Sequence, residues 1–153
     1  MKSILAALVS LLAAATSYAD PVLLGKWRSD KTLTMGFAIE RAKLEDKTVR
    51  FLDQMMGRMT LTFSRSRVTS VMPDWESETV EGVKSSLVGF SETHAYKVVA
   101  TTPTQVAVVS MEPVTDRRTI TVYNFEDKDT MWVYLGGPTF PQMNIREYFV
   151  RDQ

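Results

Sequence analysis

The spacing of hydrophobic residues along this chain changes once, at Gly57. Before Gly57, apolar residues recur every three or four positions, which is the period of an amphipathic helix. Ser29 and Asp30 can cap the first turn, and Gly57 stands where a left-handed C-cap residue is expected. The pattern predicts two short helices, over residues 32–43 and 46–56. The apolar positions that define them are Leu33, Phe37, Leu44, Val49, Leu52, Met55 and Met56.

After Gly57 the hydrophobic period is two, and β-branched residues are frequent, as is typical of half-buried strands. Short strands that are joined by short turns form an antiparallel meander, and closure into a barrel removes the exposed edges. The sequence therefore predicts a mostly β fold, an antiparallel meander closed into a β-barrel of about eight strands. The helices form a short insertion after its first strand. Strand-like segments cover 59–63, 67–72, 84–90, 94–101, 104–111, 117–125, 129–135 and 144–150.

Residues 1–19 have the composition of a secretory signal peptide. Lys2 gives a positive start, residues 4–15 are apolar, and small residues precede the expected cleavage site. We therefore expect a mature domain, residues 20–153, that is periplasmic or secreted. No later apolar stretch reaches the roughly 20 residues that a membrane-spanning helix needs, so we expect no membrane span.

Composition argues against several classes of function. Without the leader lysine, 17 Lys and Arg stand against 18 Asp and Glu, which does not favour a nucleic-acid partner. The chain has no cysteine, so it lacks disulfides and thiol catalysis. A single histidine leaves too few ligands for zinc, and we expect no metal and no cofactor. Glu126, Asp127 and Asp129 indicate a hairpin turn, because they lack the spacing of a calcium loop.

Two short motifs resemble those of the lipocalin and fatty-acid-binding-protein (calycin) superfamily. They are Gly-Lys-Trp at residues 25–27 and Arg-Glu-Tyr at residues 146–148. Lipocalins begin their barrel with Gly-x-Trp, whose indole packs at the closed end against a late arginine. Fatty-acid-binding proteins carry two helices after the first strand, and many hold a ligand carboxylate with an Arg-x-Tyr pair. The resemblance implies a lipocalin-like barrel, closure by Gly25 and Trp27, and ligand contacts from the Arg-x-Tyr pair.

Alternation along the last strand brings a charge into the barrel, whichever face turns inward. Glu147 shares one face with two apolar residues, and Arg146 shares the other face with Tyr148. In one alternative, Arg146 and Tyr148 face the cavity and bind an anion such as a carboxylate. In the other, Arg146 closes the barrel through a cation–π contact with Trp27, or pairs with an acidic side chain.

His94 is the only histidine, and alternation groups it with Tyr96 on a face that points into the barrel near its mouth. This position suits a ligand contact or a general base, or else a neutral histidine that is hydrogen-bonded at the rim of the barrel. The chain has no Gly-x-Ser-x-Gly motif and no second histidine, so we do not expect an enzyme. A catalytic alternative would combine His94 with Glu92, Glu147 or Asp129.

An eight-stranded barrel encloses either a packed core or one small cavity. We therefore expect an exported protein that binds a small apolar or amphipathic ligand through Arg146, Tyr148, His94 and Tyr96. The alternative is a protein-interaction module without a small-molecule ligand, such as an inhibitor, an immunity protein or an envelope-assembly factor. That module would use its loops, including the polar segment 73–83, which is expected to be a mobile surface loop with Trp75 exposed.

Overall fold

The computed structural model describes residues 22–111, 117–135 and 144–152. The expected signal peptide and the expected turns at 113–116 and 136–138 lie outside these ranges. Within them, no helix is both long enough and apolar enough to cross a membrane. The domain prediction, residues 20–153 after a cleaved leader, stays a prediction.

The described residues form two helices and ten strands. Both helices begin and end within two residues of their predicted bounds. The helices are α1 (Lys31–Arg41) and α2 (Asp46–Met55). The strands are β1 (Gly25–Ser29), β2 (Thr60–Phe63), β3 (Arg67–Met72), β4 (Trp75–Glu78), β5 (Lys84–Leu87), β6 (Phe90–Thr102), β7 (Gln105–Met111), β8 (Arg118–Phe125), β9 (Thr130–Tyr134) and β10 (Arg146–Arg151).

Eight of these strands close into an antiparallel barrel in the order β1-β10-β9-β8-β7-β6-β3-β2. The predicted fold class is therefore confirmed: the described chain is mostly β, with a closed barrel and two short helices after its first strand. Inward-facing apolar side chains fill a core inside the barrel. The burial of each large side chain of this kind contributes roughly 1.5–3 kcal/mol to the stability of the fold. Its most buried members include Trp27, Val108, Met131 and Phe149.

The ends of the helices follow from residues that the sequence identifies. The Asp30 side chain accepts a hydrogen bond from the Leu33 amide at 2.9 Å, so it caps α1. Gly57 has a φ of +83°, in the left-handed region that glycine adopts without strain. A Cβ atom at Gly57 would also lie only 2.8 Å from the Lys31 side chain. A larger residue at this position would therefore be strained and would push against the start of α1.

The polar segment 73–83 contains strand β4, so the prediction of a mobile loop is wrong. β4 pairs with β5 in a two-stranded sheet outside the barrel. Trp75 is only 8 % exposed, and its ring centroid lies 5.6 Å from that of Phe51 in α2. The prediction of an exposed Trp75 is therefore wrong as well. The Gln54 amide group of α2 donates to the Glu78 carbonyl at 2.9 Å, which holds the hairpin on the helix.

Arg151, and not Arg146, lies over Trp27, where the end of β10 pairs with β1. The two residues are direct partners in the β1–β10 register, and the guanidinium carbon is 4.2 Å from the ring centroid. Gly25 gives this arginine room, because a Cβ atom there would lie 3.0 Å from its Nη1. The predicted brace between Arg146 and Trp27 is therefore wrong. Arg146 begins β10 at the other end of the strand and points away from the core.

Candidate functional site

The two faces of β10 lie in different environments. Glu147 and Phe149 are buried inside the barrel, whereas Arg146 and Tyr148 lie on the outside against α1. The alternation is as predicted, but the prediction that Arg146 and Tyr148 face the cavity is wrong. The apolar neighbours of Glu147 belong in the cores of the protein, so Glu147 is carried inward with them.

Helix α1 docks on β10 through backbone groups that β1 no longer reaches. The Asp30 amide donates to the Tyr148 carbonyl at 2.8 Å, and the Tyr148 amide donates to Thr34 Oγ1 at 2.9 Å. Thr34 is completely buried at this contact. Residues three apart on a helix lie on one face, so this docking also brings Phe37 onto the outer face of β10.

The guanidinium group of Arg146 lies between two aromatic rings. Its central carbon is 3.8 Å from the ring centroid of Trp132 and 4.4 Å from that of Phe37. Such contacts stabilise a cation by about 0.5–2 kcal/mol. Burial lowers the pKa of Arg146, but the Tyr148 and Tyr134 hydroxyls outweigh burial and raise it, so the side chain stays charged. Within the described ranges, Arg146 forms no ion pair and its buried Nε has no hydrogen-bond partner.

An open groove of about 940 Å³ runs beside this arginine, between α1, the β8–β9 turn and β10. We name it the α1 groove. Arg146 and Tyr148 line it together with Phe37 and Leu33, so cationic, hydroxyl and apolar surfaces meet in one place. The groove also has charged residues in its lining, namely Glu40, Arg41, Glu126 and Asp127.

His94 and Tyr96 face into the barrel from β6, as the alternation predicts. The wall of the barrel therefore separates them from Arg146 and Tyr148, so the four predicted ligand contacts do not form one site. His94 Nε2 lies 2.9 Å from Glu92 Oε2, and the two side chains are 22 % and 36 % exposed. Solvent thus reaches the inner wall of the barrel along β6.

Glu147 is the buried charged group that the sequence names only as a catalytic alternative. It is 5 % exposed and accepts a hydrogen bond from Ser29 Oγ at 2.7 Å. Burial raises the pKa of the Glu147 carboxyl to about 7, against the opposing effect of the Ser29 hydrogen bond. Burial also raises the pKa of the Tyr123 phenol, and the nearby Tyr96 and Glu147 raise it further. The sequence indicated the burial of Glu147 by its position between Ile145 and Phe149, with which it alternates on one face of the strand.

A catalytic grouping around His94 is incomplete in this geometry. Among the three carboxylates that could assist it, Glu92 is the one that hydrogen-bonds to it within the described chain. Asp129 instead pairs with Arg151 at 3.3 Å. The described ranges contain no group of three or more His, Cys, Asp or Glu side chains that could hold a metal ion.

Comparisons of the chain with protein-family models, with curated proteins and with solved structures found no match. The closed eight-stranded barrel is consistent with a lipocalin-like architecture.

Proposed function

We propose that this protein is an exported, lipocalin-like member of the calycin superfamily that binds a small amphipathic ligand with an anionic group in the α1 groove. The observation that carries the proposal is the state of Arg146. Its guanidinium is held between Trp132 and Phe37, at the lining of an open groove, without an ion-pair partner among the described residues.

The stacking of Arg146 determines which part of it a ligand can contact. Two aromatic rings lie within 4.4 Å of the central carbon of the guanidinium, so we expect an anion to approach at the edge, where the N–H groups lie. Two parallel N–H donors match the two oxygens of a carboxylate, and such charge-assisted pairs are roughly twice as strong as neutral hydrogen bonds. The Tyr148 hydroxyl adds a donor beside them, while Leu33 and Phe37 offer apolar contacts to the rest of the ligand.

In this proposal the Arg-x-Tyr pair still binds the ligand, but at a different place from the one that the resemblance implies. The ligand lies outside the barrel, on the face of β10 that α1 covers, instead of inside. The proposed function needs no cofactor and no catalytic step. It also needs the leader to direct the protein to the periplasm or to secretion.

Binding of dodecanoate to the mature protein, residues 20–153, tests this function. Isothermal titration should show one site in the wild type. Arg146→Gln should weaken it by roughly 10-fold or more, since a hydrogen bond to a charged group contributes about 1.5–3 kcal/mol. Arg146→Lys should weaken it less, because it keeps the charge but loses the planar fork. The matched control is Arg118→Gln, which removes an exposed arginine from β8 outside the groove.

Equal dodecanoate affinity in wild type and Arg146→Gln would contradict the proposed site. A circular dichroism spectrum and a thermal melt of each variant show whether α1 is still docked. These measurements separate loss of the ligand contact from loss of the groove itself.

A second candidate function is a protein-interaction module, and exposed valines on the β4–β5 hairpin favour it. Val83 and Val88 flank β5 and are 60 % and 90 % exposed. In a pull-down from envelope extract, this function requires one stoichiometric partner that a Val83→Ser, Val88→Ser variant no longer captures. A partner that binds the variant equally well would exclude this surface.

A further inference from the structure

The outer surface of the barrel is apolar across strands β7, β8 and β9. Alternation turns every second side chain of β7 and β8 into the barrel, so the residues between them lie on the outside. Strand β9 continues this surface, because the ring of Tyr134 packs edge-on against that of Trp132, with 5.0 Å between the ring centroids. We name this surface the β7–β9 face. Its apolar members are Ala107, Val109, Met111, Ile120, Val122 and Tyr134.

Large side chains of the β7–β9 face are open to solvent. Ile120 is 66 % exposed, Tyr134 is 53 % exposed and Val122 is 39 % exposed. Helix α1 packs on β10, and no helix in the described ranges packs on β7 or β8. A contiguous exposed apolar patch is unusual on a soluble monomer and marks an interaction site more often than a solitary exposed side chain does. We therefore expect this face to have a partner.

Cations border the β7–β9 face, whereas the described carboxylates lie elsewhere. Lys97 is the register partner of Val109, Arg118 is that of Met111, and both cations are exposed. Arg146 borders the face on the side of the α1 groove. The described Asp and Glu residues lie inside the barrel, in or beside the helices, in the segment 73–83, in the β8–β9 turn or after β10. The apolar surface is therefore surrounded by positive charge.

This charge distinguishes between the possible partners. A second copy of the chain would bring the same cations to the interface, and no described carboxylate of this face could pair with them. An anionic lipid surface would instead place phosphate groups beside the cations and hydrocarbon beside the apolar side chains. Aromatic rings with one polar end, such as that of Tyr134, suit the boundary between head groups and acyl chains.

We infer that the β7–β9 face docks on an anionic lipid surface as a peripheral contact. Ile120 and Val122 enter the boundary between head groups and acyl chains. Lys97 and Arg118 pair with the phosphate groups of the lipids around them. The face lies on the outer wall of the barrel beside the α1 groove. The inference goes beyond the proposed function and does not depend on ligand binding in that groove.

Co-sedimentation of the mature protein, residues 20–153, with lipid vesicles tests this surface. Vesicles of phosphatidylcholine and phosphatidylglycerol in equal parts should bind it at least about 10-fold more tightly than vesicles of phosphatidylcholine alone. Raising the salt from about 0.1 M to about 1 M should weaken binding, because the Debye length falls from about 10 Å to about 3 Å. Trp27 and Trp75 are buried, so fluorescence quenching by brominated acyl chains reports on Trp132, which borders the face.

Two substitutions separate the apolar part of the contact from the charged part. Ile120→Ser should weaken binding to the anionic vesicles by roughly 10-fold, since it removes an apolar side chain from the contact. Lys97→Gln should weaken it by about 5-fold, the contribution of one cation near an anionic surface. The matched controls are Val88→Ser, at a valine that is 90 % exposed beside β5, and Arg28→Gln, at an exposed arginine of β1, the strand opposite β7 in the barrel. Both controls should bind like the wild type.

Equal binding of anionic and neutral vesicles would overturn the inference, as would wild-type binding by both Ile120→Ser and Lys97→Gln. A dimer in sedimentation equilibrium that Ile120→Ser dissociates would overturn it too, because a second copy would then cover the face. A stoichiometric protein from envelope extract that Ile120→Ser no longer captures would have the same meaning. Ile120 is not in the lining of the α1 groove, so Ile120→Ser should bind dodecanoate like the wild type. Failure of lipid docking can therefore be distinguished from failure of the proposed ligand site.

Discussion

The two arginines of β10 both stack on a tryptophan ring, but the hydrogen bonds and ion pairs of their guanidinium groups differ. Arg146 lies 3.8 Å from the ring centroid of Trp132, and Arg151 lies 4.2 Å from that of Trp27. The donors of Arg151 reach carbonyl oxygens of Val22, Leu24 and Lys128, and it pairs with Asp129. Within the described ranges, Arg146 has no ion pair, and its Nε has no acceptor.

This comparison indicates that stacking on a tryptophan does not by itself identify the role of an arginine. Stacking satisfies the faces of the guanidinium, whereas hydrogen bonds satisfy its edge. The edge of Arg151 is used to join the first described residues to the last strand, so its role is structural. Arg146 lines the α1 groove and has no ion pair among the described residues, and this difference is the basis for the proposed ligand role.

Arg151→Gln should have the largest effect on stability. It removes a stacked cationic side chain and the hydrogen bonds that connect β10 to the residues before β1 and to the β8–β9 turn, so we expect a loss of stability of about 2–4 kcal/mol. Urea denaturation of the mature protein measures it. If Arg151→Gln destabilises the protein no more than Arg146→Gln does, the two edges are equivalent and the comparison fails.

Glu147→Gln should change how stability depends on pH. The folded protein holds a proton on Glu147 up to about pH 7, whereas the unfolded chain releases it near the ordinary glutamate pKa of 4.5. The folded state thus binds more protons in this window, and wild-type stability should fall as pH rises through it. We expect a loss of about 2–3 kcal/mol, which Glu147→Gln should abolish. Denaturation curves between pH 4.5 and 8 measure this loss. If the stability of the wild type and of Glu147→Gln depended on pH in the same way, the raised pKa of Glu147 would be contradicted.

A double-mutant cycle should separate the two arginines directly. Trp27→Phe and Arg151→Gln should couple by about 0.5–2 kcal/mol, the range for cation–π contacts and other direct contacts. Trp27→Phe and Arg146→Gln should be additive within about 0.5 kcal/mol, because the two side chains are on opposite faces and at opposite ends of the sheet. Coupling of Trp27 to Arg146 would restore the interpretation that the motifs first suggest.

Arg146→Lys should have the smallest effect on stability, below about 1 kcal/mol, because a lysine keeps a cation near the rings of Phe37 and Trp132. Its effect on dodecanoate binding should nevertheless be measurable, since the planar fork is lost. Thermal melts of Arg146→Lys with and without dodecanoate measure both its stability and its binding of the ligand. A variant that loses stability but not affinity would make Arg146 a structural residue like Arg151.

The change of hydrophobic period at Gly57 was sufficient to predict the class of fold. Apolar residues at helical spacing and then at alternate positions require different secondary structures, and each places its apolar side in a core. The predicted helices and most of the predicted strands lie close to their observed positions, but the segment 84–90 does not, because its residues 84–87 form β5 outside the barrel. Strand β4 was not predicted because its segment, 73–83, is polar. Trp75 is buried against Phe51 of α2, a contact that no local pattern reveals.

Alternation also determined which residues of the last strand share a face, but it could not say which face is inside, because each face carries one charge. Packing decided this: the apolar neighbours of Glu147 entered the cores, and α1 docked over Arg146 and Tyr148. Arg151 was missed because its partner Trp27 is far away in the chain and becomes its neighbour only when β1 and β10 pair. Period and alternation are local properties, whereas the inward face and the partner of a charge depend on contacts between distant segments.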